Sequence, residues 1–236
     1  MTTDPKRRQK ALAKKAAKRK EKAKALRSRG HLPVLGSRVI AQAPIYECLV
    51  PRELFDNGIG NVIVSRRLPD GEIAAGVFLL DVFCLGVKNA FLRTMTPGEY
   101  RALVDSVARN ETPRPVEPAA ARKLIEGAVA YAKDLGFAPH PDYRQTRLVL
   151  EGIDASVWAA EYVYGKDGKP LYISGPNDTA ARSRQIVETL QRHHGPDSDP
   201  SLSHGHSSRA PRPRRLPFWG GLARLGRAVK GLVSRR

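Results

Sequence analysis

Alternation of apolar and polar positions organises the first half of this chain. Ile45 to Val50 and Asn61 to Arg67 each read as a strand, and Glu72 to Phe83 is apolar on both alternations except at Asp81. A strand apolar on both parities has both faces covered, so this third run reads as central in a sheet. Leu68-Pro69-Asp70-Gly71 joins the second run to the third. Proline presets the first central turn position and glycine closes the turn, so the two runs form a hairpin. Pro51 to Asn57 reads as a helical turn.

The period then changes. Thr96-Pro97-Gly98-Glu99 is a complete helix start, with a hydroxyl cap, proline in the first turn and a carboxylate that reaches back. That helix runs to about Arg109, and the Pro-rich residues 110–118 form a loop. Pro118 to Leu135 carries Ala121, Ile125, Ala128, Ala132 and Leu135 on one face, and Gly136 stands at the left-handed stop. His140-Pro141-Asp142-Tyr143 reads as the start of a helix to about Glu151, ended by Gly152. Val157 to Tyr164 and Lys169 to Ser174 read as a second hairpin around Gly165-Lys166-Asp167-Gly168. Asn177 or Asp178 caps a last helix to about His193, with Ile186, Val187 and Leu190 inward. Gly30 to Pro44 reads as a linker or peripheral strand. The pattern predicts an α+β fold: one domain over residues 44–194, with an antiparallel or mixed sheet of two hairpins packed by three to four helices. Basic helical or disordered ends flank it.

Charge changes this picture at the ends. Residues 6–29 hold 13 cations and one acid, Glu21: Lys6, Arg7, Arg8, Lys10, Lys14, Lys15, Lys18, Arg19, Lys20, Lys22, Lys24, Arg27 and Arg29. Residues 209–236 hold nine cations and no acid. The net charge of +18 is therefore made at the two ends, and the stretch 30–208 sums to −2. Residues 1–29 read as an arm of strong helix formers behind an Asp4-Pro5 start, helical when phosphates neutralise its cations and otherwise a solubilising tail. A linker over 30–43 follows, and residues 195–215 form a second, disordered linker rich in Ser, Pro and His. Residues 216–236 place Phe218, Leu222, Leu225, Val229 and Leu232 at helical spacing, with Trp219 at one end and cations off the stripe. That is a basic amphipathic helix suited to an anionic membrane surface, to nucleic-acid phosphates or to a protein partner.

Cys48 and Cys84 sit in apolar runs, which reads as two small buried side chains in a reducing compartment rather than a disulfide framework. The N-terminus lacks the apolar segment of a secretory signal, and no apolar run approaches the roughly 20 residues of a membrane span. The expected location is the cytoplasm.

Candidate chemistry gathers at the end of the third strand, in Asp81, Cys84, Lys88 and Asn89. A carboxylate in an apolar strand is neutral, paired or functional. Read structurally, Asp81 pairs with Lys88 or caps backbone groups; read functionally, it is a metal ligand or general base. Cys84 as a nucleophile needs a base, and His140 is the body histidine on hand. His140 and Asp142 serve a helix start, or join Asp81 and Asp154 in a metal-dependent phosphodiesterase site. Trp158, Tyr162 and Tyr164 share one strand parity, with Tyr172 across from them. Glu161 on the opposite parity makes their face the buried one rather than a base-stacking platform. His193, His194, His204 and His206 cluster without a cysteine, so no closed zinc site is expected, nor any cofactor: Gly58-Ile59-Gly60-Asn61 is only a turn, and no Walker, GxSxG or CxxC motif is present.

The runs SRRLPDGEIAAGVFLLDVFCLGVKNAF, YAKDLGFAPHPDY and YGKDGKPLYISGPND resemble those of an uncharacterised bacterial protein family, over about residues 44–192. The resemblance implies a single domain and no reaction. The expectation is a nucleic-acid-associated accessory protein, on RNA, the ribosome or DNA. The alternatives are a metal-dependent phosphodiesterase-like enzyme and a peripheral membrane protein anchored by its C-terminal helix.

Overall fold

Nine consecutive residue pairs, from Ile59 opposite Asp81 to Arg67 opposite Ile73, join β2 (Ile59–Arg67) to β3 (Ile73–Asp81) without a register shift. The computed structural model that shows this describes residues 34–175 and 178–194. The turn is the predicted one: Gly71 adopts φ +85, its N–H donates to the Leu68 carbonyl, and the Glu72 N–H donates to the Asp70 side chain. β1 (Ile45–Pro51), β4 (Gly86–Met95) and β5 (Pro113–Pro115) complete an open antiparallel sheet in the order β4-β3-β2-β1-β5. Around it lie α1 (Val34–Gln42), α2 (Leu54–Asn57), α3 (Pro97–Ala108), α4 (Pro118–Asp134), α5 (Tyr143–Thr146) and α6 (Ala180–His194). The result is one α+β domain.

The doubly apolar β3 is explained by its two neighbours above and below. On one face Val62, Val64, Phe78 and Leu80 meet Leu124, Ile125 and Ala128 of α4. On the other, Ile63, Ile73 and Val77 meet Tyr100, Leu103 and Val107 of α3. α3 begins with the predicted capping box: the Glu99 N–H donates to the Thr96 hydroxyl oxygen and the Thr96 N–H donates to the Glu99 carboxylate. A third, smaller cluster docks Ile186 and Leu190 of α6 on Cys84, Leu85, Leu135 and Tyr172.

Five stretches differ from the sequence expectation. Residues 34–42 are helical, not a linker or strand, because Ile40 and Ala43 bury against the sheet core and outweigh the roughly 1 kcal/mol that Gly36 costs. Residues 86–95 form β4, which the pattern did not announce: Lys88, Asn89 and Arg93 interrupt its apolar positions, and an edge strand tolerates them. Within the predicted loop 110–118, residues 113–115 pair with β1. The second hairpin is absent from the described residues, where only Lys166 and Lys169 form an isolated bridge. Residues 158–164 instead lie on α4, with the Tyr162 hydroxyl donating to the Ala120 carbonyl at 3.2 Å and the Tyr164 hydroxyl to the Leu124 carbonyl at 2.9 Å. The aromatics are core-facing as their parity implied, but their partner is a helix surface.

The predicted helix from Tyr143 to Glu151 also divides, into α5 and a 3-10 turn over Arg147–Leu150. Val149 of that turn presses on Gly76 of β3, where a Cβ would stand 2.6 Å from Val149 Cγ2. Beneath it, the Arg66 side chain is 5% exposed and donates only to backbone carbonyls: Nε to Val149 at 2.8 Å, Nη1 to Ala43 at 2.5 Å, and Nη2 to Glu151. One guanidinium thus ties β2, the end of α1 and the 3-10 turn together.

Candidate functional site

A cleft of about 520 Å³ opens where three segments meet: the β3–β4 corner, the loop after α4, and α6. Each segment is placed by its own local chemistry. At the corner, Asp81 Oδ1 accepts from the Phe83 N–H at 3.1 Å and the Cys84 N–H at 2.9 Å, and Gly86 adopts φ +62 to enter β4. After α4, Gly136 takes φ +88 while its N–H donates to Lys133 and the Phe137 N–H donates to Ala132, the paired closure that satisfies a helix's last carbonyls. The His140 N–H then donates to the Val87 carbonyl at 2.9 Å and stitches the loop to β4. At α6, Thr179 is the capping side chain, its hydroxyl accepting from the Arg182 N–H. Asp178 is used elsewhere, and Asn177 lies outside the described residues.

Asp178 is the hub that joins two residues lining the cleft, Lys88 and Arg182. Its Oδ2 accepts from the Gly175 N–H at 2.8 Å and the Tyr172 hydroxyl at 3.1 Å, and lies 3.5 Å from Lys88 Nζ. Its Oδ1 lies 3.7 Å from Arg182 Nε. Burial works to raise its pKa, but the Gly175 N–H and the Lys88 charge outweigh burial and hold the carboxyl below its ordinary value. Lys88 therefore pairs with Asp178, whereas Asp81 takes the backbone-capping role among its expected alternatives.

The sequence-derived candidates divide accordingly. Lys88 and His140 line the cleft, and Asp142 is attached to it through His140, whose Nδ1 accepts from the Asp142 N–H at 3.2 Å. Asp81 and Cys84 lie behind the wall, both buried. Burial pushes the Cys84 thiol far above its ordinary pKa, and pushes Cys48 up to about 12, so neither is a ready thiolate. Both cysteines are free. No hydrogen bond or ion pair among the described residues joins Asp81 to His140 or Asp142, and no three His, Cys, Asp or Glu side chains among them converge to hold a metal ion. Asp154 caps its own 3-10 turn by accepting from the Ser156 N–H. The arm cations at residues 6–29, the apolar stripe from Phe218 to Leu232, and His204 and His206 lie outside the described residues.

Arg182 and Gln185 escaped the sequence reading, and Asp178 was read only as a helix cap. Their signal was present in the i,i+4 spacing of Asp178 and Arg182 across a helix start, but nothing in one dimension brings that pair to Lys88, 90 positions earlier.

Asp81 gives a pH prediction. Burial raises its folded pKa above the ordinary 3.8, although Lys88 and the corner N–H groups oppose the shift. The folded state then holds the proton more tightly, so this contribution is full below the unfolded pKa and is lost as pH rises through the folded one. Asp81→Asn keeps an oxygen for both N–H groups. Its stability relative to wild type should therefore rise as pH increases above about 4, read from melting temperatures across a pH series. A difference that is flat or falls would refute it.

No protein family model, curated protein or solved structure matches this chain. No described helix is long and apolar enough to cross a membrane.

Proposed function

We propose that this is a cytoplasmic, nucleic-acid-associated accessory protein, whose basic ends hold phosphates while the α+β body presents a separate surface. The carrying observation is the partition of charge: 13 cations in residues 6–29 and nine in 209–236 flank a stretch that sums to −2. Blocks of like charge at chain ends are interaction tails, and a polyanion is the partner that relieves their self-repulsion. Binding by such arms is driven by counterion release and carries no base preference. The two buried, free cysteines fit a reducing compartment.

The test is RNA and duplex DNA binding of the full chain across a salt series. Replacing Lys14, Lys15, Lys18, Arg19 and Lys20 by Gln should make the fall of log K with log salt shallower by about 3.5 to 4.5, at about 0.7 to 0.9 per phosphate contact removed. An unchanged slope removes the arm from the binding. Liposome sedimentation, compared with and without residues 216–236, separates this reading from anchoring of the Phe218–Leu232 stripe to an anionic membrane.

A further inference from the structure

We infer that the cleft between Lys88, His140 and α6 binds a small phosphate monoester, with its phosphate on Lys88 and Arg182. This site is independent of the basic ends.

The inference starts from an imbalance of hydrogen-bonding capacity. Asp178 already serves Gly175, Tyr172, Lys88 and Arg182. The groups around it still have donors in hand. Lys88 has three ammonium protons and, among the described residues, one carboxylate within ion-pair distance, that of Asp178 at 3.5 Å, although its side chain is only 16% exposed. Arg182 engages through Nε alone, leaving the fork of its guanidinium. His140 accepts at Nδ1, so in the neutral ring the proton sits on Nε2. Arg182 adds a second, largely exposed cation to the Asp178–Lys88 pair, while the buried Asp81 carboxyl also acts on Lys88 and Asp142 stands 3.9 Å from His140. Donors in excess, with positive charge and partial burial, are complementary to an anion.

The geometry favours phosphate over carboxylate. The donors come from three directions: β4, the loop after α4, and the first turn of α6. A tetrahedral group with three terminal oxygens accepts from three directions at once, and the planar guanidinium fork matches two of them. Leu85, Phe137, Pro139 and Ile186 add apolar surface beside the polar Gln185 and Thr189, and suit an organic body attached to the phosphate. The volume of about 520 Å³ is that of a small-molecule site and holds one mononucleotide-sized ligand.

The probe is adenosine 5′-monophosphate, titrated calorimetrically into the full chain at about 0.3 M salt, which screens the charge of the basic ends. Adenosine should give no heat, because it lacks the anion. Arg182→Gln changes a largely exposed side chain, so its melting temperature should hold while affinity falls about tenfold or more. Lys88→Met should lose binding more completely. No measurable binding of the monophosphate at millimolar concentration, or equal affinity in wild type and both variants, overturns the inference. A short RNA with a 5′-hydroxyl should fail to displace the monophosphate; displacement would place the ligand on the arms and also overturn it. Displacement by the same RNA with a 5′-phosphate would identify a strand end as the natural source, and its failure would identify a free phosphorylated metabolite.

Discussion

Arg66→Met is expected to destabilise the domain by about 4 kcal/mol or more, enough to leave a protein of ordinary stability close to unfolding at ambient temperature. Arg66 carries a buried charge whose pKa burial lowers, so removing that charge should by itself be favourable. The balance is decided by what stays behind. Its three acceptors are the backbone carbonyls of Val149, Ala43 and Glu151, which no side-chain substitution takes away. Unpaired, the carbonyls of the buried Val149 and Ala43 cost about 1–3 kcal/mol each and that of the exposed Glu151 less, and together they outweigh the relief of desolvation. Arg66→Lys, with one compact ammonium in place of a planar fork, satisfies fewer of the three and should fall between the two. Guanidinium denaturation of the three proteins gives the order. A Met variant as stable as wild type would mean that these carbonyls find water instead.

Gly86→Ala should cost about 3 kcal/mol, the second largest effect. The added methyl would stand 2.7 Å from Ala132 Cβ and 2.8 Å from the Ala128 carbonyl oxygen, on a residue whose φ is +62. The left-handed backbone contributes about 1–2 kcal/mol and the overlap with α4 about 1–3. The companion variant Ala132→Gly removes one neighbour but leaves the Ala128 carbonyl, so the double variant should recover only a minor part of the loss. Full recovery would show that side-chain crowding alone was responsible. A loss this large at Gly86 would also loosen the corner carrying Lys88 into the cleft. Gly71→Ala, at the open β2–β3 turn, meets nothing within 4 Å and should show the backbone component by itself.

How much of this was legible in the sequence follows from how locally each feature is encoded. The β2–β3 hairpin, the capping box at Thr96 and the stop at Gly136 are each written within a few residues, and all three stand as read. The parity of Trp158, Tyr162 and Tyr164 identified a buried face, but alternation fixes only which side of a stretch is covered. That the cover is Ala120 and Leu124 of α4, rather than a partner strand, is a long-range fact. β4 hid because Lys88 and Asn89 break its pattern, and Lys88 is there to reach Asp178. The same residue that obscured the strand helps to build the cleft. A site assembled from β4, the loop after α4 and α6 has no contiguous signature, whereas the basic ends are contiguous and stood out at once.

The three-residue β5 has a consequence for crowding. Of Pro113, Arg114 and Pro115, only Arg114 carries an amide hydrogen, and its neighbours present rings. A second molecule sliding along that margin finds almost no donors with which to extend the sheet, and a cation in its way. At the opposite margin the His140 N–H already occupies the Val87 carbonyl, and Lys88 and Arg93 follow along the strand. On the proposed polyanion, molecules gathered side by side would bring such margins together repeatedly. Proline at one border and charge at the other keep that proximity from maturing into fibrillar aggregation.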